Sequence, residues 1–93
     1  MEITVQYTGQ LAEITGTREE AIELSPGALF KELVGHLSAR HGKKYADLIL
    51  TSSGDLRLST LIIVDGEQQL GDSSEMVLDE SRTVMLMTPI AGG

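Results

Sequence analysis

A chain of 93 residues with no cysteine is one small domain, and it excludes disulfides, thiolate metal sites, iron–sulfur clusters and a cysteine nucleophile. Its net charge of −7, fourteen acids against seven bases, argues against nucleic acid, whose phosphates are bound through clustered Lys and Arg. Apolar residues are 41% of the total but include one Phe, two Tyr and no Trp, so the expected core is aliphatic.

Ile3, Val5 and Tyr7 alternate with polar residues, the period of a half-buried strand, and Gly9 breaks the pattern. The segment Leu11-Ala12-Glu13-Ile14-Thr15-Gly16 is predicted as a loop whose Leu11 and Ile14 close one end of the core. Alternation resumes from Arg18 to Leu24, with Ile22 and Leu24 facing inward and Glu19-Glu20 a solvated flank. The two runs pair as antiparallel strands.

At Ser25-Pro26-Gly27 the period switches. Ser25 is a favoured N-cap and Pro26 suits the first helical position, where a missing N–H costs nothing. Leu29, Leu33 and Leu37, flanked by Phe30 and Val34, form the apolar stripe of an amphipathic helix ending near His41-Gly42. Gly35 inside that helix costs roughly 0.5–1 kcal/mol against Ala, which predicts close packing at that position. His36 and His41 are five apart, about 140° around a helix, so they do not share a face as a metal pair would, and both are expected on the surface.

Tyr45 to Leu50 suits a short helix or a strand equally well, since a short apolar run does not decide between them. Ser52-Ser53-Gly54-Asp55 is a turn by composition. Leu61 to Val64 reads as a buried central strand, Asp65-Gly66 as a hairpin turn and Gln68 to Leu70 as its short partner. Thr83 to Met87 is the last strand; Val84 and Leu86 share one face and Met85 and Met87 the other, so either pair could line the core. Core packing is the first expectation for the methionines, and an adaptable contact surface for a partner, shared with Met76, is the alternative. The product is an α+β fold, one main helix packed on a mixed sheet of four or five strands.

Between Leu58 and Ser81 stand six acids and no Lys or Arg, which predicts a negative face, either a plain solvated surface or one that steers a basic partner. No membrane-length apolar run is present, and the first residues lack a basic segment ahead of an apolar one. The expectation is therefore a cytoplasmic chain with no membrane partner. No motif for a metal, for acid–base work or for a phosphate-binding loop is found.

The last strand runs straight into Thr88-Pro89-Ile90-Ala91-Gly92-Gly93. Pro89 pushes Thr88 toward an extended backbone, so residues 89–93 are expected to leave a folded domain of residues 1–88 as a tail. Five extended residues reach roughly 17 Å. Gly92 and Gly93 lack a Cβ and can pass constrictions closed to other residues, which makes the Gly93 carboxylate the group presented.

The strand–strand–helix–strand order and the Pro89-Ile90-Ala91-Gly92-Gly93 ending resemble the ubiquitin-like β-grasp sulfur carriers, most closely the small subunit of molybdopterin synthase and its relatives. The likeness extends to Leu11-Ala12-Glu13-Ile14-Thr15-Gly16, to Val64-Asp65-Gly66-Glu67 and to Val84-Met85-Leu86-Met87. A Thr88-Pro89 step replaces the two prolines frequent in molybdopterin relatives, and residues 43–60 are longer than in the compact thiazole-pathway carriers. The resemblance implies a carrier rather than an enzyme, with no bound cofactor. Gly93 would be adenylated by a ubiquitin-activating-type adenylyltransferase that uses ATP and magnesium. It would then become a thiocarboxylate and donate its sulfur inside an accepting enzyme such as a molybdopterin synthase large subunit, with Pro89, Ile90, Ala91 and Gly92 contacting these partners. The alternatives are sulfur carriage for cysteine, thiamine or tRNA thiolation, and a ubiquitin-like modifier joined to proteins through Gly93.

Overall fold

A computed structural model describes residues 1–89, and its framework is a five-stranded sheet. The first strand, β1 (Glu2–Tyr7), buries Ile3, Val5 and Tyr7 as their alternation dictates. It pairs antiparallel with β2 (Glu19–Glu23), Ile3 opposite Ile22. Between them the expected loop is a helix, α1 (Gly9–Thr15). Only Leu11 is fully buried in it, too few apolar positions to print a helical period on the sequence. The turn is locked by the Thr15 hydroxyl, which donates to the Leu11 carbonyl at 2.8 Å, and by Gly16 at φ +74°, whose N–H donates to the Ala12 carbonyl.

The main helix starts later than its cap residues predicted. Gly27 (φ +92°) turns the chain into a two-residue strand, β3 (Ala28–Leu29), and the helix α2 spans Phe30–His41. Strand pairing outcompetes the Ser25-Pro26 cap: β3 pairs with β6 (Val77–Leu78), and the Gly27 N–H donates to the Leu78 carbonyl at 2.7 Å. The first turn of α2 is capped instead by Glu32, whose Oε2 accepts from the Leu29 N–H at 2.6 Å. Phe30, Leu33, Val34 and Leu37 are buried as the stripe required. Gly42 ends the helix, and α3 (Lys43–Ile49) follows at once, burying Tyr45 and Ile49 one turn apart. The short apolar run is thus a helix, and the described residues hold three helices with α2 the longest.

The hairpin forms as read. Strand β4 (Leu61–Val64) pairs with β5 (Glu67–Gln69) across Asp65 (φ +49°) and Gly66 (φ +85°), positive at both turn positions as a two-residue hairpin demands. The last strand, β7 (Arg82–Met87), lies in the middle of the order β2-β1-β7-β4-β5, parallel to β1 and antiparallel to β4. So β4 is interior but not central, and only Ile62 of its residues is fully buried. On β7, Val84 and Leu86 are the core pair, each 0% exposed, while Met85 and Met87 are half-buried on the other face. One face of the sheet packs on the helices around a core from Ile3 to Leu86. This is the ubiquitin-like β-grasp arrangement.

The close packing expected of Gly35 is absent. The residue is exposed, and a Cβ built on it meets nothing within 4 Å. Because its φ is not positive, its cost is purely that of a flexible residue in a helix interior. Gly35→Ala is expected to stabilise the domain by about 0.5–1 kcal/mol, read as a higher urea midpoint at unchanged slope.

Candidate functional site

The parallel pairing of β1 and β7 sets Tyr7 beside Leu86, so β7 ends where β1 turns into α1. Beyond Met87 the chain leaves the ladder; Thr88 is half-buried and Pro89 exposed. The Thr88 hydroxyl donates to Gln10 Oε1 at 3.4 Å, a side-chain contact 78 residues apart in sequence. The remaining predicted tail residues, Ile90, Ala91, Gly92 and Gly93, lie outside the described residues.

Beside this root, the face of the sheet turned from the helices carries half-buried apolar side chains. Register places Met87 opposite Leu61, and Met85 opposite Ile63. Gln6 flanks Met85 on the β1 side, and Gln68 flanks Ile63 on the β5 side. Leu70, one residue past β5 with the parity of Gln68, is 84% exposed. The sequence left Met85 and Met87 open between core and contact surface, but it concealed Leu61 and Ile63, because Leu61 to Val64 reads as one continuous apolar run, the signature of a strand covered on both faces.

The negative stretch is partly answered by bases from outside it. Arg82 reaches Asp65 and Glu80, both at 2.9 Å, and Lys31 reaches Glu75 at 2.8 Å. Hydrogen bonds from the Thr83 N–H and from Arg82 hold the Asp65 carboxyl below its ordinary range, and bonds from Ser74 do the same for Asp72. Among the described residues no group of three His, Asp or Glu could hold a metal ion, and no helix is long and apolar enough to cross a membrane.

Two residues read as surface are not. The Glu20 side chain is 10% exposed and that of His41 12%. Glu20 Oε2 accepts from the Tyr7 hydroxyl at 2.6 Å and lies 2.6 Å from His41 Nε2, while Oε1 accepts from Arg40 at 2.8 Å. The Tyr45 hydroxyl donates to that of Tyr7 at 3.2 Å, and the rings of Tyr7, His41 and Tyr45 pack within 6.3 Å of one another. No sequence pattern reports this cluster, since His41 and Glu20 are 21 residues apart. It fastens the end of α2 to the edge strand β2.

Burial alone would raise the Glu20 carboxyl, but the hydrogen bonds from Tyr7, Arg40 and His41 outweigh it and hold the group below its ordinary value. Burial, reinforced by the bond to Glu20, pushes the Tyr7 phenol far up, and burial raises Tyr45 as well, so both stay neutral. A carboxyl depressed by folding stabilises the fold fully above its unfolded pKa, and that stability is lost as pH falls through the folded value. Glu20→Gln is therefore expected to cost about 1–3 kcal/mol at neutral pH, with the gap to the parent closing in acid below the normal carboxylate range. Urea unfolding across a pH series measures both.

The ThiS family model matches residues 5–93. No curated protein sequence matches the chain. Among solved structures, SAMP1 from Haloferax volcanii superposes with a TM-score of 0.82 over 100% of both chains at 18% identity. A putative molybdopterin converting factor, subunit 1, from Pyrococcus furiosus gives 0.70 at 23% identity, covering 97% of this chain and 99% of its own. A chain of the BexX/CysO complex from Amycolatopsis orientalis gives 0.68 at 23% identity, covering 98% of this chain and 99% of its own. At these identities the structural likeness establishes the fold, and the family model reaches nearly the whole chain, the terminal glycines included. The chain belongs to the ThiS family of ubiquitin-like β-grasp sulfur carriers.

Proposed function

We propose that this chain is a sulfur carrier whose Gly93 carboxylate is converted to a thiocarboxylate. A carboxylate is a poor electrophile at neutral pH. It must be activated, and the reading assigns this to a ubiquitin-activating-type adenylyltransferase using ATP and magnesium. The carboxylate oxygen attacks the α-phosphorus of ATP and pyrophosphate leaves. The terminal sulfur of a persulfide on a partner enzyme then attacks the acyl carbon and AMP leaves, giving an acyl disulfide. A second thiol of that enzyme attacks the donor sulfur, the S–S bond to the carrier breaks, and the carrier leaves as a thiocarboxylate while the enzyme keeps a disulfide. This chain supplies the acyl group and the docking surface, and the catalytic groups belong to partners, so it is a carrier and not an enzyme. Absence of cysteine suits the role, because no thiol of the carrier competes for the sulfur.

The observation that carries the reading is the family match running through residue 93, which includes Gly92-Gly93 in the shared pattern. The fold supports it by ending β7 at the sheet margin, beside the apolar row of Leu61, Ile63, Met85 and Met87 on which a partner receiving the tail can rest. The acceptor we assign is a molybdopterin synthase large subunit in the cytoplasm, a choice supported by the likeness to the Pyrococcus furiosus converting factor subunit. A second reading, conjugation of Gly93 to lysines of other proteins, is favoured by the likeness to the small archaeal modifier protein 1 of Haloferax volcanii. Denaturing gels separate the two, since a modifier gives a ladder of conjugates and a pure carrier none.

With the cognate activating enzyme, ATP, magnesium and a sulfur source, the intact chain is expected to gain the mass of one oxygen replaced by sulfur, localised to Gly93. An unchanged mass would end the carrier reading. One residue added after Gly93 should abolish the transfer and leave the circular dichroism spectrum intact. Met85→Glu, in the middle of the apolar row, is expected to weaken association with the activating enzyme by about tenfold or more while its urea midpoint stays near the parent's. Calorimetric titration measures the first effect.

A further inference from the structure

The root of the tail is tied down by a side chain that the carrier chemistry leaves unused. Pro89 has no N–H to extend the β7 ladder, so at Thr88 and Pro89 the backbone has lost its main source of fixed direction. The Thr88 hydroxyl, half-buried, donates to Gln10 Oε1. The backbone of Gln10 is fixed by the helix that carries it. It stands on the first turn of α1, one residue before Leu11, which is 0% exposed in the core, and the pairing of Tyr7 with Leu86 fixes the distance from α1 to the end of β7. Thr88 is β-branched, so a hydroxyl held at Gln10 also restricts its χ1 and the backbone that follows.

We propose that Gln10 is a positioning residue for the root of the C-terminal tail: by holding the Thr88 side chain it sets the direction in which Thr88 and Pro89 leave the sheet, and so preorganises that root for docking to the ATP-using activating enzyme. The proposal rests on the carrier reading above. Ordering the tail root in the free protein removes part of the entropy cost of docking, an effect on binding rather than on the chemical step. At 3.4 Å the hydrogen bond is long, so the effect is several-fold and not thousands-fold.

The test compares the full-length parent with Gln10→Ala, Thr88→Val, the double variant and Gln10→Glu. KM for the carrier and kcat are measured in ATP–pyrophosphate exchange by the cognate activating enzyme, and Thr88 χ1 is read from three-bond scalar couplings. Gln10→Ala and Thr88→Val should each raise KM about three- to tenfold with kcat unchanged. Thr88 couplings should move toward rotamer averaging in Gln10→Ala, and the melting temperature should hold. The double variant should be no worse than either single one, because both remove the same contact. Gln10→Glu, whose carboxylate can still accept from the hydroxyl, should restore KM. An active parent with unchanged KM in both single variants, or with additive effects in the double, overturns the proposal alone. A parent that is not adenylated at all overturns the carrier reading and this proposal with it.

Discussion

Everything in this domain depends on one backbone pairing, the parallel ladder between β1 and β7. It brings the two ends of the sequence together in the middle of the sheet, and a parallel pair requires a long crossover between its strands. That crossover is the rest of the protein: β2, the three helices and the β4–β5 hairpin all lie between the two strands in sequence. Because the two run in one direction, the start of α1 and the exit of the C-terminal segment fall at the same margin of the sheet. The core side chains Ile3, Val5 and Tyr7 from one strand, and Val84 and Leu86 from the other, then face the helices together.

The two faces of the sheet are consequently unlike. The inner face is apolar, closed by the helices, and holds Phe30 and both tyrosines among its aliphatic residues; Tyr7, Glu20, His41 and Tyr45 form a polar cluster at its edge. Each member has a partner, which is what makes burying a carboxylate tolerable in so small a core. The outer face keeps a short apolar row at the end where the C-terminal segment leaves. A patch of that kind on a domain of net charge −7 gives a partner something to cover, while the surrounding charge keeps the free protein dispersed.

What was legible in the sequence follows the same division. Elements whose pattern is a property of their own residues were readable: the alternation of β1, the stripe of α2 and the Asp65-Gly66 hairpin. Elements decided by distant residues were not. Ser25-Pro26 is a sound local cap, but Leu78 and Met76 take the backbone of residues 27–30 into strand-like pairing before a helix can begin. Helix α1 has one buried side chain and gave no period to detect. Glu20 and His41 each look like surface residues, because the hydrogen bond that draws them in needs both partners to be seen and they lie far apart in the chain. The contact of Thr88 with Gln10 was not readable either, since only the parallel register brings those residues together.

The central place of β7 has a kinetic consequence. Its pairing with β1 joins residues 82–87 to residues 2–7, with all the other elements between them. Contacts of such sequence separation form slowly, because the intervening loop must be closed before they yield any stabilisation. Until then there is no sheet margin for Thr88 to leave from and no row of Leu61, Ile63, Met85 and Met87 beside it. Folding and the display of this surface are thereby a single event: a chain whose β7 has not yet paired carries neither the margin nor the apolar row.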